Sequence, residues 1–593
     1  MSQTLERLGL IREIMAEQGL DAYVMATFDE YLSEYVPERN QRLHWLTGFT
    51  GSAGAAVVLA DKASMFVDGR YTVQVRQQVD GDAFEYRHQI EEPFGEWLTQ
   101  QLAAGAKVGI DSRMFSFASF NRLRDTLDKA GIELVAQSQH PVDQLWHDRP
   151  AETINKGITM PLEYTGLSSV EKRQQIAAKL QQDKLDAALL FAADSVAWLL
   201  NVRGRDIPSM PVILGYALID ANAQVTWFTN AEKLPDGFYE HVGDGVTVLS
   251  EADATTVFAT LKDKKVLADP ATANAWTQLS LQQAGAELIA GQDPVLIPKA
   301  CKNTTEQEGM RQAHIRDGVA EVKFLHWLDN ALHAGEDLNE ADVADKLFSF
   351  REQQDKFKEV SFDTISAAGS NAAMCHYNHN NGTPAQLPKQ GVYLVDSGGQ
   401  YLDGTTDITR TIAIGDPDGE VKQQFTRVLK GHIALQNARF PKGTTGTQLD
   451  VLARQFLWQH GFDFDHGTGH GVGAYLSVHE GPQRISKASS TVALQPGMVL
   501  SNEPGYYKAD AYGIRCENLI MVREAEGLAG DVTMLEFEVL TLAPFDKRLL
   551  DTSLMTSDEI AWLNAYHQQV YDTLAERLND DERHWLAQAT SAV

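Results

Sequence analysis

The chain is poor in cysteine: three residues, Cys301, Cys375 and Cys516, are scattered over 593 positions with no CxxC spacing. An odd number at such distances supports neither a disulfide framework nor a thiolate metal site, and fits a reducing compartment. Basic charge is also in short supply, 51 Lys and Arg against 81 Asp and Glu, a net charge of −30. Such a surface repels phosphate backbones and anionic lipid, so nucleic acid and membrane are not expected partners. Nowhere do 18 apolar residues run uninterrupted, and the opening MSQTLERLGLIREIMAEQ reads as a charged amphipathic helix without a signal-peptide core. A soluble cytoplasmic protein is expected.

At this length two to four domains are expected. A faint repeat runs through the N-terminal part. Ile11, Met15, Leu20-Asp21-Ala22 and Trp45-Leu46 are echoed by Ile176, Leu180, Leu185-Asp186-Ala187 and Trp198-Leu199, each a helix leading into an apolar strand. Two related α/β domains would explain it, with YLSEYVPERNQR as an insertion in the first copy; chance likeness of two helix-strand units is the alternative. Periodicity lapses between Pro141 and Pro161 and again in DPVLIPKACKN near residue 300. Beyond it Thr305 and Glu308 have capping-box spacing, and Ile315, Val319, Val322, Leu325, Leu328 and Leu332 mark one helical face. The tail carries another helix from Thr556 through Leu574, suited to docking, to dimerisation or to packing on its own domain.

The chemistry concentrates between residues 376 and 517. In DSGGQYLDGTTDITRT, two strands about a turn near Tyr401-Leu402 would set Asp396 opposite Asp407, with Asp407 on the face of Thr409 and Thr411. A lone hairpin of this kind is better read as carrying two exposed turn aspartates. A second hairpin, MVLSNEPGYY returning through GIRCENLIMV, brings up Glu503 and Glu517 with Arg515 beside them. Between the two lies HGTGHGVGAYLSVHEGP, which supplies His466, His470 and His479 and lacks the spacing of a dinucleotide loop. Imidazole with several carboxylates and no sulfur suits Mn2+, Co2+ or Zn2+. Four carboxylates call for two divalent ions rather than one, with a bridging water ionised to hydroxide at neutral pH.

The order DSGGQYLDGTTD, HGTGH, NEPG, GIRCEN resembles the pita-bread metallopeptidases, and within them the three-domain cytosolic Xaa-Pro aminopeptidases. VDQLWHDRP, EYTGLSSVEKRQ and TSDEIAWLNAYHQQV extend the likeness over nearly the whole chain. The resemblance implies an α/β (α+β) fold with two creatinase N-terminal-like domains, 1–155 and 156–300. A pita-bread catalytic domain, 301–593, would follow, with a helical extension from about 545. It implies Asp396, Asp407, His470, Glu503 and Glu517 as metal ligands, and Glu503 as the general base as well. His376, His466 and His479 would act on the substrate, and Arg515 would support the ligands. The implied reaction is hydrolysis of the first peptide bond of peptides with proline second, by a homodimer carrying two divalent ions, Mn2+ foremost. A prolidase with the same metal residues, or an inactive relative that binds peptide or protein, are the alternatives. Prolidases typically have one N-terminal domain, and inactive relatives usually lose ligands. The same ligand count speaks against a metal-free creatinase-like hydrolase, and the two N-terminal domains against a methionine aminopeptidase. His379, His432, His460 and the cysteines are given no role.

Overall fold

A computed structural model describes residues 3–137 and 139–593. The chain folds as two compact units, one of Met1–Pro161 with Leu167–Leu296 and one of Leu162–Gly166 with Ile297–Val593.

The first unit realises the repeat. Its two six-stranded sheets begin with Ala22–Ala26 and Ala187–Leu190, each fed by a helix, Gln3–Glu17 and Ser169–Gln182. Counting strands within each sheet, both have the spatial order 4-3-2-1-5-6. In both, strands 1, 2 and 3 are mutually antiparallel neighbours, while 4, 5 and 6 each join in parallel. Two copies of so specific an order are one supersecondary pattern used twice. The first strand of the first sheet is buried throughout, its alternate residues serving two cores: Tyr23 and Met25 face one cluster, Ala22, Val24 and Ala26 the other.

The copies differ where the sequence suggested. After Ala187–Leu190 the helix Ala193–Leu200 follows almost at once, whereas residues 27–41 intervene between Ala22–Ala26 and the helix Arg42–Thr47. This insertion reaches into the second copy. Leu32 packs against the second sheet's core beside Leu249 and Trp276, the Tyr31 hydroxyl donates to Glu251, and Asn274 Nδ2 donates to the Glu30 carbonyl at 2.9 Å.

In the second unit the helix Thr304–Ala334 starts two residues earlier than expected. Asn303, not Thr305, is the N-cap, and its partner in the capping box is Glu306. Asn303 wins because its amide does two jobs. Oδ1 accepts from the Thr305 and Glu306 backbones while Nδ2 donates to the Thr165 carbonyl. A small antiparallel sheet of Ile365–Ala368, Gly391–Ser397 and Ile408–Ile414 lies in the same unit as a six-stranded one. The latter includes Gly469–Gly471, Glu480–Ile485, Val499–Asn502 and Asn518–Glu524.

The tail is internal structure. Thr556 caps the helix Ser557–Leu574, whose Leu563, Tyr566, Val570 and Leu574 join Val319, Val322, Val392 and Phe425 in one buried cluster. Its apolar face is used within its own unit, the packing alternative of the sequence reading.

Candidate metal centre

Each hairpin delivers its carboxylates where its ladder breaks. In the first, the pairs are Asp396 with Thr409 and Ser397 with Ile408, so Asp407 lies just outside the strand and not across from Asp396 as the sequence suggested. The cause is an excursion between the strands. Gly399–Tyr401 and Gly404–Thr405 leave to pair with each other, and the Gly398 backbone passes so close to the Thr406 carbonyl that a Cβ would sit 2.0 Å from it. In the second, Asn502 pairs with Asn518 and Gly505 with Arg515, a single register with a gap in the middle. Glu503 stands across from Glu517 in that gap. Their backbone N–H groups turn elsewhere, Glu503 to the Thr468 carbonyl at 2.8 Å and Glu517 to the Thr409 carbonyl at 3.3 Å. That last bond stitches the two hairpins together.

His470 completes the convergence. It occupies the short strand Gly469–Gly471, its backbone N–H held by Ser501 Oγ at 2.9 Å and its Nδ1 against the Gly471 carbonyl at 2.9 Å. Its Nε2 is thereby left 3.4 Å from Asp407 Oδ2 and 3.5 Å from Glu503 Oε1. One ligand atom from each of Asp407, His470 and Glu517 falls within 4.8 Å of the others. Asp396 is tied in through Arg515, whose Nη2 is 2.5 Å from Asp396 Oδ2. The acids at the base, Asp396, Asp407 and Glu517, are buried with Arg515, while Glu503 and the three histidines keep partial access to solvent.

Those histidines are placed differently from one another. The His479 ring meets His470 edge to face with centroids 4.3 Å apart. His466 Nε2 bonds the Tyr507 hydroxyl at 2.7 Å, and its Nδ1 stands 3.9 Å from Glu503 Oε2. His376 is half-buried in the turn after the short helix Gly369–Ala373, a segment that packs against the strand carrying Arg515. Cys375 shares that turn rather than a strand, and Cys516 is buried. Of the histidines given no role, His379 is buried rather than at the surface, His432 packs inside the helix Gly419–Gln436, and His460 is exposed.

The description "Metallopeptidase family M24" matches residues 308–524, and "Creatinase/Prolidase N-terminal domain" matches twice, over 7–145 and 148–306. Residues 533–593 match the C-terminal region of the same peptidase family. The chain is 41% identical to a protein of Talaromyces marneffei named "Probable Xaa-Pro aminopeptidase P", over all of this chain and 92% of that one. This chain belongs to metallopeptidase family M24. Among solved M24 relatives, X-prolyl aminopeptidase from Caenorhabditis elegans, described as a cytosolic enzyme with a di-nuclear active site, superposes with a TM-score of 0.95 at 34% identity, covering both chains entirely. The pita-bread architecture after two creatinase-type domains is therefore the fold of this chain. The Xaa-Pro dipeptidase of Bacillus anthracis, 24% identical with a TM-score of 0.50, shares the fold over 64% of this chain and 99% of its own.

In this M24 site the carboxylates crowd one another. Burial, with repulsion from Asp407 and Glu503, pushes Asp396 up to about 6 despite Arg515. Glu517 rises well above the carboxylate range through burial and then Asp407, Asp396 and Glu503. Burial opposes charge on His470 too, yet the Asp407 hydrogen bond and the negative field of Glu503 and Asp407 raise it to about 9. The cluster therefore calls for positive charge. Asp396 Oδ1 and Glu517 Oε1 are buried and accept no hydrogen bond among the described residues, which leaves both oxygens available as ligands. Hard oxygen donors with one imidazole fit divalent cations, so the residues present suit the metal the M24 description implies.

Three contributors escaped the sequence reading. Thr409 Oγ1 donates to Glu517 Oε2 at 2.6 Å and accepts from Arg515 Nε at 3.0 Å. The Tyr507 hydroxyl bridges His466 and Arg515 Nη1. Arg410, fully buried, donates to the Glu517 and Ala543 carbonyls and to the Tyr566 hydroxyl. An arginine inside the apolar run ITRTIAI was the available signal, because a buried guanidinium must be fully hydrogen-bonded.

Proposed function

We propose that this chain is a metal-dependent Xaa-Pro aminopeptidase, releasing the first residue of peptides whose second residue is proline. The observation that carries the reading is that Asp407, His470 and Glu517 offer ligand atoms within 4.8 Å of one another, with Glu503 3.5 Å from His470 and with a buried oxygen of Asp396 and of Glu517 unpartnered among the described residues. Four carboxylates and an imidazole would hold two divalent ions, Mn2+ by preference. When bound, such ions supply Lewis acidity and acidify a water.

The chain's own residues do the rest. Asp396, with one oxygen on Arg515, keeps the other free as a ligand. Glu503 is the one carboxylate of the set with solvent access, and its raised affinity for protons suits a base that takes a proton from water and passes it to the proline nitrogen. His479, His376 and His466 would bind the substrate and stabilise the carbonyl oxygen as charge builds on it. The scissile amide has no N–H, so nothing here need grip one.

The domain limits 1–155, 156–300 and 301–593, a cytoplasmic location and a homodimer belong to the same reading, in keeping with a C. elegans relative described as cytosolic. The test compares metal-stripped protein with and without Mn2+ on Arg-Pro-Pro, Arg-Pro, Arg-Ala-Ala and Met-Ala-Ser. Mn2+-dependent release of arginine from Arg-Pro-Pro with the proline-free peptides spared is the expected result. Cleavage confined to Arg-Pro would make it a prolidase, and no cleavage with any metal would leave a binding protein.

A further inference from the structure

Glu480 follows His479 and carries a fully buried carboxylate. Lys302 Nζ is 2.5 Å from its Oε1 and Lys299 Nζ 2.9 Å from its Oε2, with all three side chains at most 1% exposed. Burying three charges is costly, and two cations on one anion do not even balance, so an apolar trio of the same volume would serve stability better. The arrangement does give Glu480 one position.

That position matters because the backbone there is irregular. Opposite His470 lies Arg484, yet opposite Gly471 lies Glu480, so residues 481–483 bulge from the ladder and the strand alone does not fix what precedes them. Glu480 is the last regular pairing before His479. The lysines are themselves anchored to the segment that enters the strand Val499–Asn502, which leads directly to Glu503: Cys301 bridges Met498, and the Lys302 backbone N–H donates to the Gly497 carbonyl at 3.1 Å. A path thus runs from the strand leading into Glu503, through the two ammonium groups, to the residue beside His479. We propose that Glu480, gripped by Lys299 and Lys302, is a positioning residue that sets the His479 ring against His470 and towards the substrate.

The proposal rests on the aminopeptidase reading for its kinetic arm only. In Lys302→Met, kcat on Arg-Pro-Pro should fall about tenfold to a hundredfold with KM nearly unchanged, as expected when a reacting group shifts by a fraction of an ångström. Lys302→Arg should restore most of it. Placed on His479→Ala, Lys302→Met should cost nothing further, because the lysine acts through that ring. The second arm needs no turnover: in metal-free protein with labelled histidine, the His479 and His470 ring-proton resonances, assigned with His479→Ala, should move in Lys302→Met as their edge-to-face contact loosens. Additive losses in the double variant, or unmoved imidazole resonances, would overturn the proposal. If Lys302→Met fails to fold, Lys299→Met removes the other ammonium and faces the same criteria. A wild-type protein without Mn2+-dependent cleavage would sink the aminopeptidase reading, while the resonances would still decide the role of Glu480.

Discussion

Thr409 illustrates how much of the centre hangs on single atoms. Its hydroxyl both donates to Glu517 and accepts from Arg515, so it sets where a ligand carboxylate and its supporting cation lie relative to each other. Thr409→Val keeps the shape and removes both bonds. Metal affinity should drop about 10–100-fold, read by titrating Mn2+ into the metal-free protein, with Thr409→Ser close to wild type. Glu503→Gln should lower kcat by at least about 10²–10⁴-fold with the circular dichroism spectrum unchanged, and wild-type turnover would remove Glu503 as the base. The charged and imidazole members of the site were legible in the sequence because their residue types are unusual at strand ends. Thr409 and Tyr507 were not, since a threonine or tyrosine in a strand is ordinary and only the fold reveals what its hydroxyl touches.

Among elements, the tail helix has the widest reach. Tyr566 stacks on Trp562 with an interplanar angle of 5°, lies within the unit's buried cluster, and accepts from Arg410, which also holds the Glu517 carbonyl. Tyr566→Ala should cost about 3–5 kcal/mol, measured as a fall in urea stability of the metal-free protein. Tyr566→Phe should cost about 1–3 kcal/mol, from loss of the hydroxyl that accepts from Arg410 and from the Ala543 backbone N–H and donates to the Ala543 carbonyl. The sequence announced this helix through its apolar stripe, and that local signal held. It was less able to place ends and registers. CKNTTEQEG contains three capping spacings, Asn303–Glu306, Thr304–Gln307 and Thr305–Glu308, and the contact of Asn303 with Thr165, 138 residues away, favours the first. Likewise the excursion at Gly398 shifts the first hairpin's register, a consequence of a backbone approach that no pattern of side chains encodes.

For the molecule as a whole, the protonation of the centre couples metal to pH. Asp396, held at about 6, and Glu503 and Glu517, raised by burial and mutual repulsion, all bind protons more tightly when folded. Their contribution to the metal-free fold is present below the ordinary carboxylate range near pH 4 and is lost as pH rises through about 6 and beyond. Cations relieve that loss. The Mn2+-induced rise in melting temperature should therefore be large at pH 8 and shrink steadily below pH 6, with protons released on binding. In the first unit, the insertion that sends Leu32 into the second copy's core makes the two repeats cohere. Leu32 sits at φ +58°, a conformation asparagine tolerates, so Leu32→Asn tests the contact and not the backbone. An added transition in calorimetry of the full-length protein is expected.

The tail's place in the core also dictates an order of events during synthesis. All five proposed ligands have been made by residue 517, yet the cluster that packs Val319 and Val392 is closed by side chains at 563, 566, 570 and 574. On the ribosome the first unit can fold while the second is still being translated, whereas the scaffold of the centre is complete only once residue 574 has been made. A nascent chain stalled before the tail would therefore present its acids without the scaffold that selects what they bind.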